Sequence, residues 1–359
     1  MMEMAKLIDI CDIQYGYAFD SACFTDDNSY PPLVRVRDVK RGFSETFYAG
    51  KYPEEYILHA GNLLIGMDGE FNIARWKSID ALLNQRVCKL VAKEGTNEEY
   101  LRFAMVKELK VIEDKTAFVT VKHLSAKELN KLELDMPSLE EQELRANSLV
   151  NIEKIISLRK EEIRQLDNLI KARFVEMFGD PVSNSFGLPE ATLSELGEFG
   201  RGVSKHRPRN DPELLGGEYP LIQTGDVANA GLYITSYNST YSELGLKQSK
   251  MWDKGTLCIT IAANIAKTAI LEFDACFPDS VVGFVANEKT SNVFIHYWFS
   301  FFQAILESQA PESAQKNINL KILSELKVIV PEKEKQNEFV EFINQVDKSK
   351  FVKPKRAFY

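Results

Sequence analysis

The chain repeats itself, and this constrains its fold more than any other feature, because whatever the first half builds the second half must build again. Four stretches recur in the same order at an offset of about 190 residues. "YPPLVRVRDV", Tyr30 to Val39, returns as "YPLIQTGDV", Tyr219 to Val227, with Asp38 falling on Asp226. "GNLLIGMDGEFNIA" from Gly61 returns as "GTLCITIAANIA" from Gly255, and a two-residue gap places Asn72, Ile73 and Ala74 on Asn264, Ile265 and Ala266. "RVCKLVAKE", Arg86 to Glu94, falls on "SVVGFVANE", Ser280 to Glu288. "LNKLELDMPSLEEQ", Leu129 to Gln142, falls on "LSELKVIVPEKEKQ", Leu323 to Gln336. The chain therefore reads as a tandem duplication, each copy a globular half followed by a helix.

Within each half, β-rich runs at Leu33–Val36, Leu63–Met67 and Val87–Val91, and at Leu221–Thr224, Leu257–Ile261 and Val281–Val285, are separated by Gly, Asn and Asp turns. Glu98–Lys110 and Val293–Ser308 have helical periodicity. The fold class is α+β, with a compact, largely antiparallel sheet in each half.

After Pro137 the pattern changes. Leu149, Ile152, Ile156, Arg159, Ile163, Leu166, Ile170, Arg173 and Met177 alternate three- and four-residue steps, which is a heptad seam. Ser138 and Glu141 form a capping box, and Gly179 and Pro181 a stop. Such a helix of about 40 residues is roughly 60 Å long. After Pro331 a shorter helix places Phe339, Ile343, Val346 and Lys350 on its seam, and Pro354 should end it. Either helix could pack on its own domain. Pairing as an antiparallel coiled coil is preferred, because two repeats give two seams. The mismatch in length leaves part of the first seam bare, at Ile163, Leu166, Ile170 and Met177 or at the opposite end.

At 359 residues there is material for two domains of ordinary size, and 45% hydrophobic with 27% charged residues is ordinary for a soluble protein. No apolar run approaches membrane-spanning length and the start lacks a signal-peptide core, so the expected location is the cytoplasm. Cys11, Cys23, Cys88, Cys258 and Cys276 are odd in number without CxxC spacing, and read as reduced, mostly core thiols. The net charge of −8 opposes a protein coated in cations. It leaves room for a local basic surface, since attraction to phosphate acts within roughly 8–10 Å.

Two like modules joined by a stiff helix suit the reading of two separated, similar features on one extended polymer, and DNA is the natural candidate. At this point the residues resemble a known family. "ARFVEMFGDP" closing the central helix, "LLIGMDGEFNIARW", "YPLIQTGDV", "QKNINLKIL" and the Pro-x4-Gln helix starts at Pro137–Gln142 and Pro331–Gln336 are similar to the specificity (S) subunit of type I restriction-modification systems. The resemblance implies two target recognition domains, 1–137 and 181–330, each reading half of a split DNA sequence. It implies a conserved spacer helix over 138–180 and a short C-terminal helix over 331–359, which set the spacing and dock two modification methyltransferase subunits. It implies a non-catalytic chain without its own cofactor. S-adenosylmethionine would belong to the methyltransferase, and ATP and Mg²⁺ to the restriction and translocase subunits of the full complex. The alternative is a specificity subunit of another multisubunit methyltransferase or nuclease system.

Candidate contacts follow from side-chain chemistry. Arg201, Lys205, His206, Arg207 and Arg209 lie in "GRGVSKHRPRN", too irregular for a strand or helix and suited to laying cations along phosphates. The first half offers Arg35, Arg37, Lys40 and Arg41, then Arg75 and Lys77. For base edges, forked donors and acceptors are needed. Gln223, Asn264, Gln315 and Asn317, with Lys316 beside them, and Asp68, Glu70, Asn72, Asn84 and Gln85 are of the right types. Each is equally the kind of residue that satisfies its own turn. No GxxxxGK[ST] or GxGxxG loop and no Asn/Asp-Pro-Pro-Tyr/Phe motif is present. Asp68 and Glu70 lack the strand lysine of the usual nuclease arrangement, and Ala262 and Ala263 stand in their place in the second copy. His59, His123, His206 and His296 occur singly, so no metal site is expected.

Overall fold

In the computed structural model, which describes residues 3–115, 123–262, 265–302, 305 and 320–350, each copy of the repeat starts and ends on the same two-stranded ribbon. Two compact units result, Met1–Arg159 and Lys160–Tyr359.

The first unit runs β1 (Glu3–Lys6), α1 (Leu7–Ile10), β2 (Cys11–Tyr15), β3 (Phe24–Thr25), β4 (Leu33–Val34), α2 (Val36–Arg41), β5 (Phe47–Tyr48) and β6 (Ile57–Leu58). It continues through β7 (Leu63–Gly66), β8 (Asn72–Arg75), β9 (Ala81–Leu83), β10 (Val87–Ala92), α3 (Glu98–Lys115), α4 (Ala126–Lys131) and β11 (Glu133–Met136) into the long α5 (Leu139–Phe178). Antiparallel pairing of β1 with β11 closes the module. Its main sheet has the order β2-β10-β7-β8. Strand β7 is buried on both faces, which is why it reads as an unbroken apolar run. Leu63 and Ile65 join Cys88, Leu90 and the α3 residues Leu101, Met105 and Leu109 in one core, while Leu64 meets Trp76, Leu83 and Val87 in another.

The second unit repeats the scheme. After β12 (Glu190–Thr192) come β13 (Gly197–Arg201), β14 (Leu215–Leu221), α6 (Thr224–Asn229), β15 (Tyr233–Ile234), β16 (Ser239–Tyr241), α7 (Glu243–Lys247) and β17 (Met251–Trp252). Then follow β18 (Leu257–Thr260), β19 (Thr268–Leu271), β20 (Ala275–Cys276), β21 (Val281–Ala286), α8 (Asn292–Trp298), α9 (Leu320–Glu325), β22 (Lys327–Ile329) and α10 (Lys333–Lys350). The ribbon is now β12 with β22, and the main sheet is β13-β21-β18-β19-β15. The duplication holds at the level of single hydrogen bonds. Gly16 N donates to Val87 O as Gly202 N donates to Val281 O, both at 2.9 Å. Met67 N reaches Arg86 O at 2.9 Å as Ile261 N reaches Ser280 O at 3.0 Å.

Two repeated motifs gain a physical meaning. In "RVRDV" and "QTGDV" the aspartate caps a helix: Arg35 N donates to Asp38 Oδ2 at 2.9 Å and Gln223 N to Asp226 Oδ2 at 2.8 Å. The expected strands at Leu33–Val36 and Leu221–Thr224 are therefore cut short, ending at Val34 and Leu221, because these caps begin helices at Val36 and Thr224. In Pro-x4-Gln, the buried glutamine side chain staples the long helix to its module. Gln142 donates to Pro137 O at 2.9 Å and Gly95 O at 3.3 Å, and accepts Asn97 N at 2.9 Å. Gln336 donates to Pro331 O and Lys289 O, both at 2.9 Å, and accepts the Thr290 hydroxyl at 3.2 Å.

Other expectations are corrected. Strand register sets Asn72 against Gly66, and Thr268 against Ile259, so Asn72 to Ala74 lie in β8 whereas Ile265 and Ala266 lie in the loop before β19. The sequence match there is out of register in space. The sheets are largely antiparallel, as expected, and mixed by three parallel pairings, β4 with β9, β14 with β20, and β15 with β19. The helix expected over Val293–Ser308 is α8 followed by a 3₁₀ turn at Phe299–Phe301, and residues 306–308 lie outside the described ones.

Helix α5 is continuous over its 40 residues. Ser138 Oγ accepts Glu141 N at 3.3 Å, but the Glu141 carboxylate turns to Arg145 at 2.5 Å, so only half of the capping box forms. Gly179 stops the helix with φ +75°, where a Cβ would also stand 2.5 Å from Ser185 Oγ. The first part of α5 packs on its own module through Gln142, Ala146 and a two-pronged bridge from Arg102 to Glu153 at 3.0 and 2.7 Å. The last part pairs with α10, which runs the opposite way. Phe339 lies 5.4 and 5.5 Å from the rings of Phe174 and Phe178, and Arg173 stacks over Phe342 at 5.8 Å.

Of the two placements open for the bare part of the seam, the structure has the opposite end, with Ile163 added to it. Ile170, Phe174 and Phe178 are buried with Phe339, Ile343 and Val346, and Leu166 and Met177 pack against them. The exposed row is Leu149, Ile152, Ile156 and Ile163, at 38 to 51% accessibility. The 18-residue α10 reaches only the end of α5, and there the four-residue steps 170, 174, 178 present one stripe to a globular core rather than a heptad seam. Pro354 lies outside the described residues.

Candidate nucleic-acid interface

Strands β13 and β21 are antiparallel with Arg201 opposite Val282, so the loop leaving β13 and the turn entering β21 must meet. That loop is "GRGVSKHRPRN" and the turn is Pro278–Ser280. Arg201 Nε donates to the backbone carbonyl of Asp279 at 2.5 Å, and the Asp279 carboxylate takes Arg209 in a direct ion pair and Arg207 at 3.7 Å. Arg207 Nη1 also donates to the carbonyls of Ser204 at 2.6 Å and His206 at 2.8 Å. The backbone N–H groups of Lys205 and His206 both donate to Gln248 Oε1, at 2.7 and 3.1 Å. His206 Nε2 lies 3.0 Å from Asp211, whose carboxyl is held below its ordinary range by the Glu213 N–H and then by His206. The loop is thus pinned at its backbone while its guanidinium groups stay in solvent, with 55 and 46% of the Arg207 and Arg209 side chains accessible. Arg209 and Gln223, far apart in sequence, both line a cavity of about 280 Å³ with Asn210, Thr224, Tyr241 and Ser280.

The first unit has a charged cluster at the equivalent place. Its turn is Gln85–Arg86, with Arg86 at φ +70°. Arg86 lies 3.6 Å from Asp68 and 3.0 Å from the His123 ring, and His123 Nδ1 is 2.6 Å from Asp68. On the same β7–β8 turn, Glu70 pairs with Lys40 of α2 at 2.9 Å, and that bond holds the Glu70 carboxyl below its ordinary range. Asn72 Nδ2 donates to the Glu70 carbonyl at 2.9 Å. The fold therefore gathers Lys40, Asp68, Glu70, Asn72 and Gln85, and adds Arg86 and His123, which periodicity and motif reading passed over. Arg35, Arg37, Lys40 and Arg41 all belong to α2 or its cap and are exposed, with Arg37 donating to Thr46 at 3.4 Å and Arg41 pairing with Glu45 at 3.3 Å.

Some candidates serve the fold. Arg75 donates to Glu98 at 2.6 Å, Glu99 at 2.5 Å and the Gly61 carbonyl at 2.7 Å, fastening β8 to α3. Asn84 is buried, and its Oδ1 accepts the Gln85 N–H at 2.9 Å. The exposed Lys77 lays its side chain against Gly42. Asn264, Gln315, Lys316 and Asn317 lie outside the described residues. Asp279 and Gln248, which hold the basic loop, carry no sequence signal, since neither is cationic nor near that loop in the chain.

The remaining chemistry is structural. Burial pushes the Cys11 and Cys88 thiols up to about 12, and all five cysteines are free. His59 pairs with Asp80 at 2.9 Å and His296 lies 3.0 Å from the Thr268 hydroxyl. Among the described residues no group of three His, Cys, Asp or Glu could hold a metal ion, and no helix is long and apolar enough to cross a membrane.

Comparison with known proteins places both units in one family. The chain is 28% identical over 370 residues to the type I restriction enzyme EcoBI specificity subunit of Escherichia coli, covering 94% of this chain and 77% of that protein. It is 25% identical over 189 residues to the type I restriction enzyme MjaVIII specificity subunit of Methanocaldococcus jannaschii, covering 47% of this chain and 43% of that one. The fold is similar to a crystal structure of a type I restriction-modification S subunit from M. genitalium, with a TM-score of 0.55 at 15% identity over 98% of this chain and 90% of that chain. A family model described as the type I restriction modification DNA specificity domain matches residues 1–168 and again residues 190–356. With both copies of the internal repeat matched, the chain belongs to the type I restriction modification DNA specificity domain family.

Proposed function

We propose that each unit reads one half of a bipartite double-stranded DNA target, the chain acting as the specificity subunit of a type I restriction-modification complex. The observation that carries this reading is the equivalence of the two charged turns: the turn before β10 carries Arg86 and the turn before β21 gathers Arg207 and Arg209, at equivalent points of the two main sheets. Arg201 and Lys205 supply cations for phosphates in the second unit, and Arg207 and Arg209 add guanidinium groups that suit a phosphate or a base edge. Gln223 with Asn210, and in the first unit Gln85 and Arg86, supply the forked donors and acceptors that base edges require.

The chain performs no chemistry in this reading and needs no cofactor. Methyl transfer from S-adenosylmethionine belongs to two modification methyltransferase subunits, and ATP- and Mg²⁺-dependent steps to the restriction and translocase subunits. The bare row Leu149, Ile152, Ile156 and Ile163 is the surface on which the methyltransferases pack. Helices α5 and α10 set the distance between the half-sites.

Replacing residues 185–330 with the equivalent domain of another specificity subunit, followed by methylome mapping, tests the modular reading. One half-sequence should change. A change in both, or in neither, rules it out. Arg207→Ala with Arg209→Ala should weaken DNA binding. A similar loss on cognate and unrelated duplexes, with about 0.9 removed from the salt slope per lost contact, assigns them to phosphates, and a loss confined to cognate DNA assigns them to bases.

A further inference from the structure

Three arginines of one loop converge on a single turn residue, and two of them share its carboxylate. A loop built only to grip phosphate gains nothing from such a counter-ion, which cancels part of the attraction that would bring it to DNA. The Asp279 side chain is only 32% accessible and sits on a turn whose own carbonyl is held by Arg201, so the anion is fixed rather than incidental. Arg207 is further held by the carbonyls of Ser204 and His206, and Arg209 stands at the rim of the cavity lined by Gln223 and Asn210. A guanidinium group has five N–H donors in a planar fork, so a carboxylate on one edge leaves the other edge free for a planar acceptor pair. In duplex DNA that pair is the O6 and N7 of guanine.

Resting on the reading that this loop meets DNA, we propose that Asp279 is the positioning residue of the second unit. It withholds Arg207 and Arg209 from arbitrary phosphates and aims them at base edges, so that it lowers non-specific affinity and raises specificity. The first unit lacks this device in the same form. Its equivalent turn contributes the cation, Arg86, and takes its anion, Asp68, from the neighbouring β7–β8 turn.

The test is a salt titration of the full chain on a random-sequence duplex, read by fluorescence anisotropy. Asp279→Asn should bind this duplex at least about tenfold more tightly at low salt, with a slope steeper by up to about 1.8 if both arginines gain a phosphate. Asp279→Glu keeps the anion and should stay near wild type. Asp279→Ser is the second charge-removing variant should the amide disturb the turn. In an Arg207→Ala, Arg209→Ala background the Asp279→Asn change should have no effect, which separates positioning from the mere removal of a repulsive charge. In the assembled system the same variant should methylate additional sites altered in one half-sequence only. An unchanged or weakened Asp279→Asn, while the double-alanine variant still loses affinity for cognate DNA, overturns the proposal and leaves the loop on DNA. An equal gain in the double-alanine background also overturns it. No loss of affinity for cognate DNA in the double-alanine variant removes the loop from the interface, and the proposal with it.

Discussion

Phe174 joins the central helix to the second unit, and its removal should be felt far beyond one side chain. The ring is fully buried and lies 5.0 Å from Phe178, 5.4 Å from Phe294 of α8, 5.3 Å from Phe301 and 5.4 Å from Phe339 of α10. Phe174→Ala deletes every one of these contacts and leaves a cavity that four aromatic neighbours on separate elements cannot jointly fill. Buried Phe→Ala changes cost about 3–5 kcal/mol, and the crowded site argues for the upper half of that range, about 4–5. In a unit of 150–250 residues each kcal/mol moves the melting temperature by about 2–4 °C, so the second unit should melt about 8–20 °C lower. The chain has three tryptophans, Trp76 in the first unit and Trp252 and Trp298 in the second. In a Trp76→Phe background, tryptophan fluorescence therefore follows the second unit alone. Ile156→Ala on the same helix is the control. That side chain is 49% exposed, and its loss should cost no more than about 0.5 kcal/mol. If Phe174→Ala costs under about 1 kcal/mol, or the two variants melt alike, the end of α5 is not part of the second unit's core.

Gln336→Ala should cost the second unit about 2 kcal/mol or more in denaturant titration, because the carbonyls of Lys289 and Pro331 lose their donor inside the protein; Gln142→Ala should do the same to the first unit. Burial pushes the Glu99 carboxyl up, but bonds from Arg102 and Arg75 outweigh it and hold the group below its ordinary value of 4.5. A carboxyl lowered in the folded state adds stability that is full above its unfolded pKa and disappears as pH falls through the folded one, so acid melting of the first unit below about pH 4.5 should flatten in Glu99→Gln. The bare row Leu149, Ile152, Ile156 and Ile163 should make the isolated chain self-associate in light scattering, and changing Ile152, Ile156 and Ile163 together to Glu should abolish both this and capture by methyltransferase subunits; persistent capture would place docking elsewhere. Inserting four residues near Lys160 adds about 6 Å of helix and should lengthen the unspecified gap of the target by about two base pairs in methylome mapping, with both half-sequences intact. An unchanged gap in an active mutant would end the spacing role of α5.

Much of the architecture was legible because the signals that encode it are short-ranged. The caps at Asp38 and Asp226 act on backbone three residues away, and Gly179 ends α5 through its own dihedral angles. The glutamines of Pro-x4-Gln reach back five residues to the proline carbonyl. The end of α5, the duplication and the family resemblance follow from such patterns, and so does the choice of "GRGVSKHRPRN" as an exposed basic loop, whereas the helices that Asp38 and Asp226 cap begin where the sequence reads as strand.

Which candidate side chains come together is decided at long range, and only the tertiary structure shows it. Arg75 and Arg86 are alike in sequence, yet one is consumed by Glu98 and Glu99 while the other stands with Asp68 and His123, because strand register sends the first toward α3 and a positive-φ turn sends the second to the rim of the sheet. Arg201 and Arg209 meet Asp279 across 78 and 70 residues, a pairing fixed by β13 lying beside β21. The heptads marked α5 as a helix with an apolar side. Which part of that side is covered depends on where α10 and the second module lie in space, a matter on which periodicity along one helix carries no information.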